Sequence, residues 1–209
     1  MRRYPTPIPA ADVKNLATFH NTAYNAKVEK FHGDEDKGIA SVDEFDAAEV
    51  EEMSAGVFQL TAFKPADMNA NCIGWAIGED RNVPPREMYW WTEDEGYTMC
   101  AADASAPIIL WGDRNGSDDP GEWDVLHASV RLSHAQLAER TKQERKRGVL
   151  QPPSWKGFSA GLTAAALATA GIADPCHTSA LGTGYGVIVH PWNWFDGGEF
   201  GEALTGVRK

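Results

Sequence analysis

Cysteine is scarce in this chain: three residues in 209, at positions 72, 100 and 176. An odd number at wide spacing does not read as the disulfide framework of a small secreted domain. Long apolar runs are absent too. The longest stretch of apolar and small residues, 160–172, is rich in Ala and Gly, shorter than the roughly 18 residues a membrane span needs, and reads as a buried helix. Residues 1–9 carry two arginines with no hydrophobic run behind them, so no secretory signal is visible. Positive charge is in the minority, with 19 basic against 30 acidic side chains and a net charge of −11. That balance disfavours nucleic acid as a partner, because polyanion binders carry a basic footprint. Low-complexity runs are also missing, and with aromatics at 10 % disorder is not expected. Together these absences point to a protein of a reducing cytoplasm with no membrane segment; export by a signal-peptide-independent route fits equally well.

What is present is enough for a core: 43 % hydrophobic residues and eight Trp. At this length a single domain, 1–209, is expected. Residues 12–32 keep a helical apolar period up to Gly33, and Ser41 with Glu44 forms a capping box before a second helix. Residues 56–64 can form a strand. Asn71 is a good helix cap, Cys72 falls in the first turn behind it, and Gly78 is a good stop. Strands are expected at 107–112 and 125–132. Alternation in the latter puts Val125, His127, Ser129 and Arg131 on one face. Ser133 with Gln136 opens a helix to about Arg147, whose basic end reads as a solvated complement to the helix dipole. A small-residue helix is expected at 159–170. Strands at 178–181 and 185–190 then flank the turn Gly182-Thr183-Gly184, and the tail is rich in Trp and Gly. Helices followed by antiparallel-looking strands make an α+β pattern.

Cys72 is the sharpest chemical feature. A thiol at a helix N-terminus meets free backbone N–H groups and the positive end of the dipole, although most buried cysteines are simply small hydrophobes. His127, on a strand and on its more polar side, is the candidate base: a nucleophilic Cys needs one that is distant in sequence and adjacent in the fold. Cys72, Cys100, Cys176 and His177 lack zinc-ligand spacing, so no metal or other cofactor is expected. Gly182-Thr183-Gly184-Tyr185-Gly186 lacks the Lys of a phosphate loop and reads as a hairpin turn. Ser179 lacks a nucleophile elbow.

A helix-start Cys followed by a strand His resembles the papain-like cysteine hydrolases, in the layout of their NlpC-like and CHAP-like bacterial branch. More specifically, the chain resembles an uncharacterised bacterial domain family of that style. The matching blocks are Asn71-Cys72-Ile73-Gly74-Trp75-Ala76, Trp90-Trp91, Gly96-Tyr97, residues 108–111, His127-Ala128, Ser179-Ala180-Leu181-Gly182 and Ile188-Val189-His190. The resemblance implies a Cys-bearing helix packed on a small antiparallel sheet in a core spanning 65–209. A helical N-terminal extension, 1–64, would precede it, and a helical insertion would occupy about 133–175. It further implies Cys72 as nucleophile and His127 as general base, with a third group orienting the imidazole. His177 is favoured for that place, with His190 and Ser179 as alternatives. Asn71, Trp75, Trp90 and Trp91 would contact substrate.

Two function classes follow. The first is a cysteine hydrolase or acyltransferase acting on an amide or thioester in a peptide, protein or cell-wall substrate, including a bacterial effector toxin. The second is a non-enzymatic binding, immunity-partner or phage structural protein that keeps the scaffold. A nucleic-acid enzyme using the basic stretch 140–147 is disfavoured by net charge.

Overall fold

The computed structural model describes residues 6–7, 56–63, 71–79, 81–84, 96–146, 150–151, 163–180, 187–196, 198 and 200–209. Its strands are β1 (Thr6–Pro7), β2 (Phe58–Phe63), β3 (Thr98–Cys100), β4 (Ile108–Asp113), β5 (Asp124–Leu132), β6 (Leu150–Gln151), β7 (Cys176–Ala180), β8 (Val187–His190) and β9 (Glu202–Arg208). They form one antiparallel sheet in the order β1-β2-β8-β7-β5-β4-β9-β3, with β6 paired to β2 off that path. The body of the sheet is the six-strand run from β2 to β9. Among the described residues three α-helices accompany it: α1 (Cys72–Ile77), α2 (His134–Lys146) and α3 (Ala164–Thr169). The architecture is α+β.

Both faces of the sheet are covered, and β4 shows it, with every residue from Ile108 to Gly112 buried. Ile108 and Leu110 join an aliphatic cluster with Ile73, Trp75, Ala128, Val130, Leu132 and Val189. Ile109 and Trp111 face the other way, into a cluster with Ile188, Phe195, Trp194 and Phe200. α1 packs on β5 and β7 from the aliphatic side.

The helix ends follow the sequence. Asn71 Oδ1 accepts from Gly74 N at 2.9 Å, and Gly78 closes α1 in the left-handed region at φ 83°. The capping box of α2 forms as the spacing predicts: Gln136 N donates to Ser133 Oγ at 3.2 Å and Ser133 N to Gln136 Oε1 at 2.8 Å. One cation of α2 is not simply solvated. Arg140 lies 4.3 Å over the Trp75 ring and donates to the Trp75 carbonyl, clamping α2 to the C-terminal end of α1. α3 starts at Ala164, where the Thr163 hydroxyl caps it by accepting from Ala166 N at 3.1 Å; residues 159–162 of the expected helix lie outside the described residues.

Three features depart from the sequence reading. First, β1 and the strand expected at 56–64, which forms as β2, belong to the main sheet, so part of the 1–64 stretch is sheet rather than helical extension; the helices expected at 12–32 and after Ser41 lie outside the described residues. Second, the tail forms β9, between β4 and β3. Its alternation is interrupted at Gly206, where a Cβ would strike the Ala101 carbonyl and the Cys100 sulfur. Third, Val125 and His127 do not share a face. The β4–β5 register shifts, with Trp111 opposite His127 but Gly112 opposite Val125. Leu126 is the extra residue of this bulge, which reverses the alternation on its N-terminal side. Val125 therefore packs on the aliphatic cluster, while His127 meets Phe195 and Phe200. Glycine is required at the bulge, since a Cβ on Gly112 would fall on the Asp124 carbonyl.

Candidate functional site

Cys72 is the first residue of α1 and is half-buried against the aliphatic face. Its neighbours are committed to holding the fold. The Asn71 amide nitrogen donates to Val83 O at 2.8 Å, and Asn71 Oδ1 accepts from Val83 N at 3.2 Å as well as from Gly74 N. Asn71 thus ties the helix start to the 81–84 segment. Trp75 is 3 % exposed and donates its indole N–H to Thr178 Oγ1 at 3.1 Å. Both side chains, expected at a substrate cleft, are occupied in packing. Trp90 and Trp91 lie outside the described residues.

The histidines gather on the opposite face. His127 from β5, His177 from β7 and His190 from β8 are all at least 95 % buried, as are Ser129 and Ser179. Strand alternation explains the grouping: His177 and Ser179 are two apart on β7, and His177 is the cross-strand partner of His190. Trp194, Phe195 and Phe200 pack against two of them, His127 and His190. His127 stacks on Phe200 with ring centroids 4.2 Å apart and meets Phe195 edge-on at 4.5 Å. His190 lies 4.7 Å from Phe195 and 5.8 Å from Trp194.

A hydrogen-bonded line runs through this layer. The Trp111 indole N–H donates to Ser129 Oγ at 2.9 Å, Ser129 and Ser179 hydroxyls are 3.1 Å apart, and Ser179 Oγ is 2.9 Å from His190 Nε2. His190 Nδ1 is 2.8 Å from the Pro191 carbonyl, an acceptor only, so Nδ1 carries a hydrogen. His177 differs. Its Nε2 donates to the Ala104 carbonyl at 3.3 Å, and its buried Nδ1 has no hydrogen-bond partner among the described residues. Burial holds the His177 pKa below the usual histidine range; the Ala104 bond works the other way, and the positive charge of Arg131 adds to the lowering.

The structure therefore brings together His127, His177, His190 and Ser179, but it separates them from Cys72. The expected pairing of Cys72 with His127 is not assembled, because α1 packs on the face of β5 that carries Ala128 and Val130, while alternation puts His127 with Ser129 on the other face. Ser129 and Trp111, which complete the polar line, were not singled out as site residues. The signal for Ser129 was its place two residues from His127 on the same strand.

Ser179, His190 and the Pro191 carbonyl have the bonding order of a nucleophile, a base and its orienting group. Ser179 is 0 % exposed, however, so no substrate carbonyl reaches its oxygen in this conformation. Cys176, the first residue of the same strand, has its thiol pKa pushed up to about 12, chiefly by burial and then by the Asp174 charge; a thiol in that state is inert. Among the described residues no group of three or more His, Cys, Asp or Glu side chains is arranged to hold a metal ion, and no helix is long and apolar enough to cross a membrane. Comparison of the chain with protein-family models, curated proteins and solved structures returned no match.

Proposed function

We propose that this chain is a non-enzymatic binding protein built on a papain-like scaffold, acting through an acidic surface on a basic partner protein or peptide. The observation that carries this reading is the placement of Cys72 and His127 on opposite faces of the sheet. General-base catalysis requires hydrogen-bond reach between thiol and imidazole, and a sheet lies between them. The short Cys-headed helix on an antiparallel sheet supports the scaffold assignment. The charge of −11 supports a basic partner, since complementary fields speed encounter and exclude like-charged competitors.

A second reading keeps Cys72 as the nucleophile of an amide or thioester hydrolase or acyltransferase. It is favoured by the half-buried thiol at the first position of a capped helix. One experiment separates the two: iodoacetamide alkylation of the native chain from about pH 4 to about pH 10, read at each cysteine by mass spectrometry. It is run on the wild type, His127→Ala and His127→Gln. The binding reading expects the same pH profile at Cys72 in all three proteins, with Cys176 protected throughout the neutral range. A Cys72 profile that moves when His127 is replaced, in variants that keep the native spectrum, would establish a coupled thiol–imidazole pair and sink the binding reading.

A further inference from the structure

We propose that His190 and Ser179 form a proton-accepting switch, in which His190 takes up a proton inside the intact fold while its cross-strand neighbour His177 stays neutral. The argument rests on hydrogen-bond capacity. With Nδ1–H given to the Pro191 carbonyl at 2.8 Å, the neutral His190 ring presents a lone pair at Nε2. Ser179, at 2.9 Å, donates its single hydrogen there.

When Nε2 is protonated, the same contact reverses: Nε2–H donates and Ser179 Oγ accepts. The serine hydrogen then needs another acceptor, and two are in place. The Ala128 carbonyl is 3.3 Å from Ser179 Oγ and Ser129 Oγ is 3.1 Å away. One hydroxyl rotation therefore satisfies every polar atom of the pair in both charge states, and the charged state gains two charge-assisted bonds.

His177 has no such arrangement. Its Nε2–H is already given to Ala104 O, and a proton added at Nδ1 would be a buried donor with no acceptor among the described residues. The two rings are 6.5 Å apart between centroids, so a charge on one opposes a charge on the other.

Among the described residues, the other titratable groups near the pair agree with this order. On β5 the layer contains His127, held between aromatic rings, and Arg131, whose charge disfavours a cation at His177. The 101–107 segment beside His177 carries Asp103, which is exposed and bonded to Ser105. The 191–196 segment carries the exposed Asp196 and places Trp194 beside His190, where an aromatic ring favours a neighbouring imidazolium.

Long-range proton–nitrogen correlation spectra of the histidine rings in the full chain, followed from about pH 8 to about pH 5, test the proposal. At neutral pH His190 is expected as the Nδ1–H tautomer and His177 as the Nε2–H tautomer. On acidification the His190 nitrogens titrate while the backbone amide spectrum stays native and His177 keeps its neutral signature. Ser179→Ala lowers the His190 midpoint by about one pH unit, because the charged ring loses the stronger bond. If that variant does not fold, the tautomers and titration order of the wild type decide alone. Finding His190 protonated on Nε2 rather than Nδ1 at neutral pH, His177 titrating first, or His190 neutral down to acid unfolding would each overturn the switch.

Discussion

On one face of the sheet, α1 presses Ile73, Trp75 and Ala76 against Ala128, Val130 and Leu132. On the other, His127 and His190 pack against Trp194, Phe195 and Phe200, and His177, Ser129 and Ser179 are buried in the same layer. The strands that supply both faces are the same; β5 gives Ala128 and Val130 to one and His127 and Ser129 to the other. The aliphatic face gains stability from apolar area removed from water, about 25 cal/mol per Å². Its polar ties include the bond from Trp75 to Thr178. The histidine face buries groups that would each cost about 1–3 kcal/mol without a partner, so its contribution depends on the completeness of its hydrogen bonds. The lesson is that a buried histidine near an aromatic cluster is explained by its own network before it is paired with a distant thiol.

Breaking the aliphatic face should have the largest effect. Trp75→Ala removes a buried ring, its bond to Thr178 and the platform under Arg140, and is expected to cost about 3–5 kcal/mol in denaturant unfolding. A loss below about 1 kcal/mol would mean that α1 contributes little to the fold.

Next comes the glycine at the β4–β5 bulge. Gly112→Ala places a methyl on the Asp124 carbonyl at the bulge, and about 2–3 kcal/mol of destabilisation is expected from overpacking. Disulfide trapping in a variant carrying His127→Cys sharpens the point: the introduced thiol should not pair with Cys72 while the native register holds, because the two lie on opposite faces.

The smallest expected effect is on the histidine face, through pH. The folded-state pKa of His177 is depressed, so its contribution to stability is fully present above the unfolded value of about 6.5. It is lost as pH falls from there through the lowered folded value, because the unfolded chain binds the proton more readily. His177→Gln should flatten the acid limb of a stability–pH profile over that window. An unchanged limb would remove His177 from the groups that set acid sensitivity.

Local signals were legible wherever one residue decides. Asn71 and Gly78 bracket α1, Ser133 and Gln136 cap α2, and the alternation of β7 sets His177 and Ser179 on one side with Thr178 on the other. Signals that depend on a partner strand were not. β9 was invisible because Gly206 interrupts its alternation for the sake of contacts with Ala101 and Cys100. Strand periodicity over 125–132 also gave the wrong face for Val125 relative to His127, because a bulge is a property of a strand pair rather than of one strand.

By itself, then, the sequence determined the α+β class, the helix caps and the polar character of the histidine-bearing side of β5 and β7. All of these are set within a few residues by backbone hydrogen bonds and side-chain alternation. The tertiary structure decided which of the chemically capable groups meet. His127 and Cys72 were separated and His190 was joined to Ser179 by strand register and by the choice of sheet face that α1 covers. The face that α1 covers depends on contacts such as that of Trp75 with Thr178, 103 positions apart, and the Ser179–His190 pair on the register of β7 against β8.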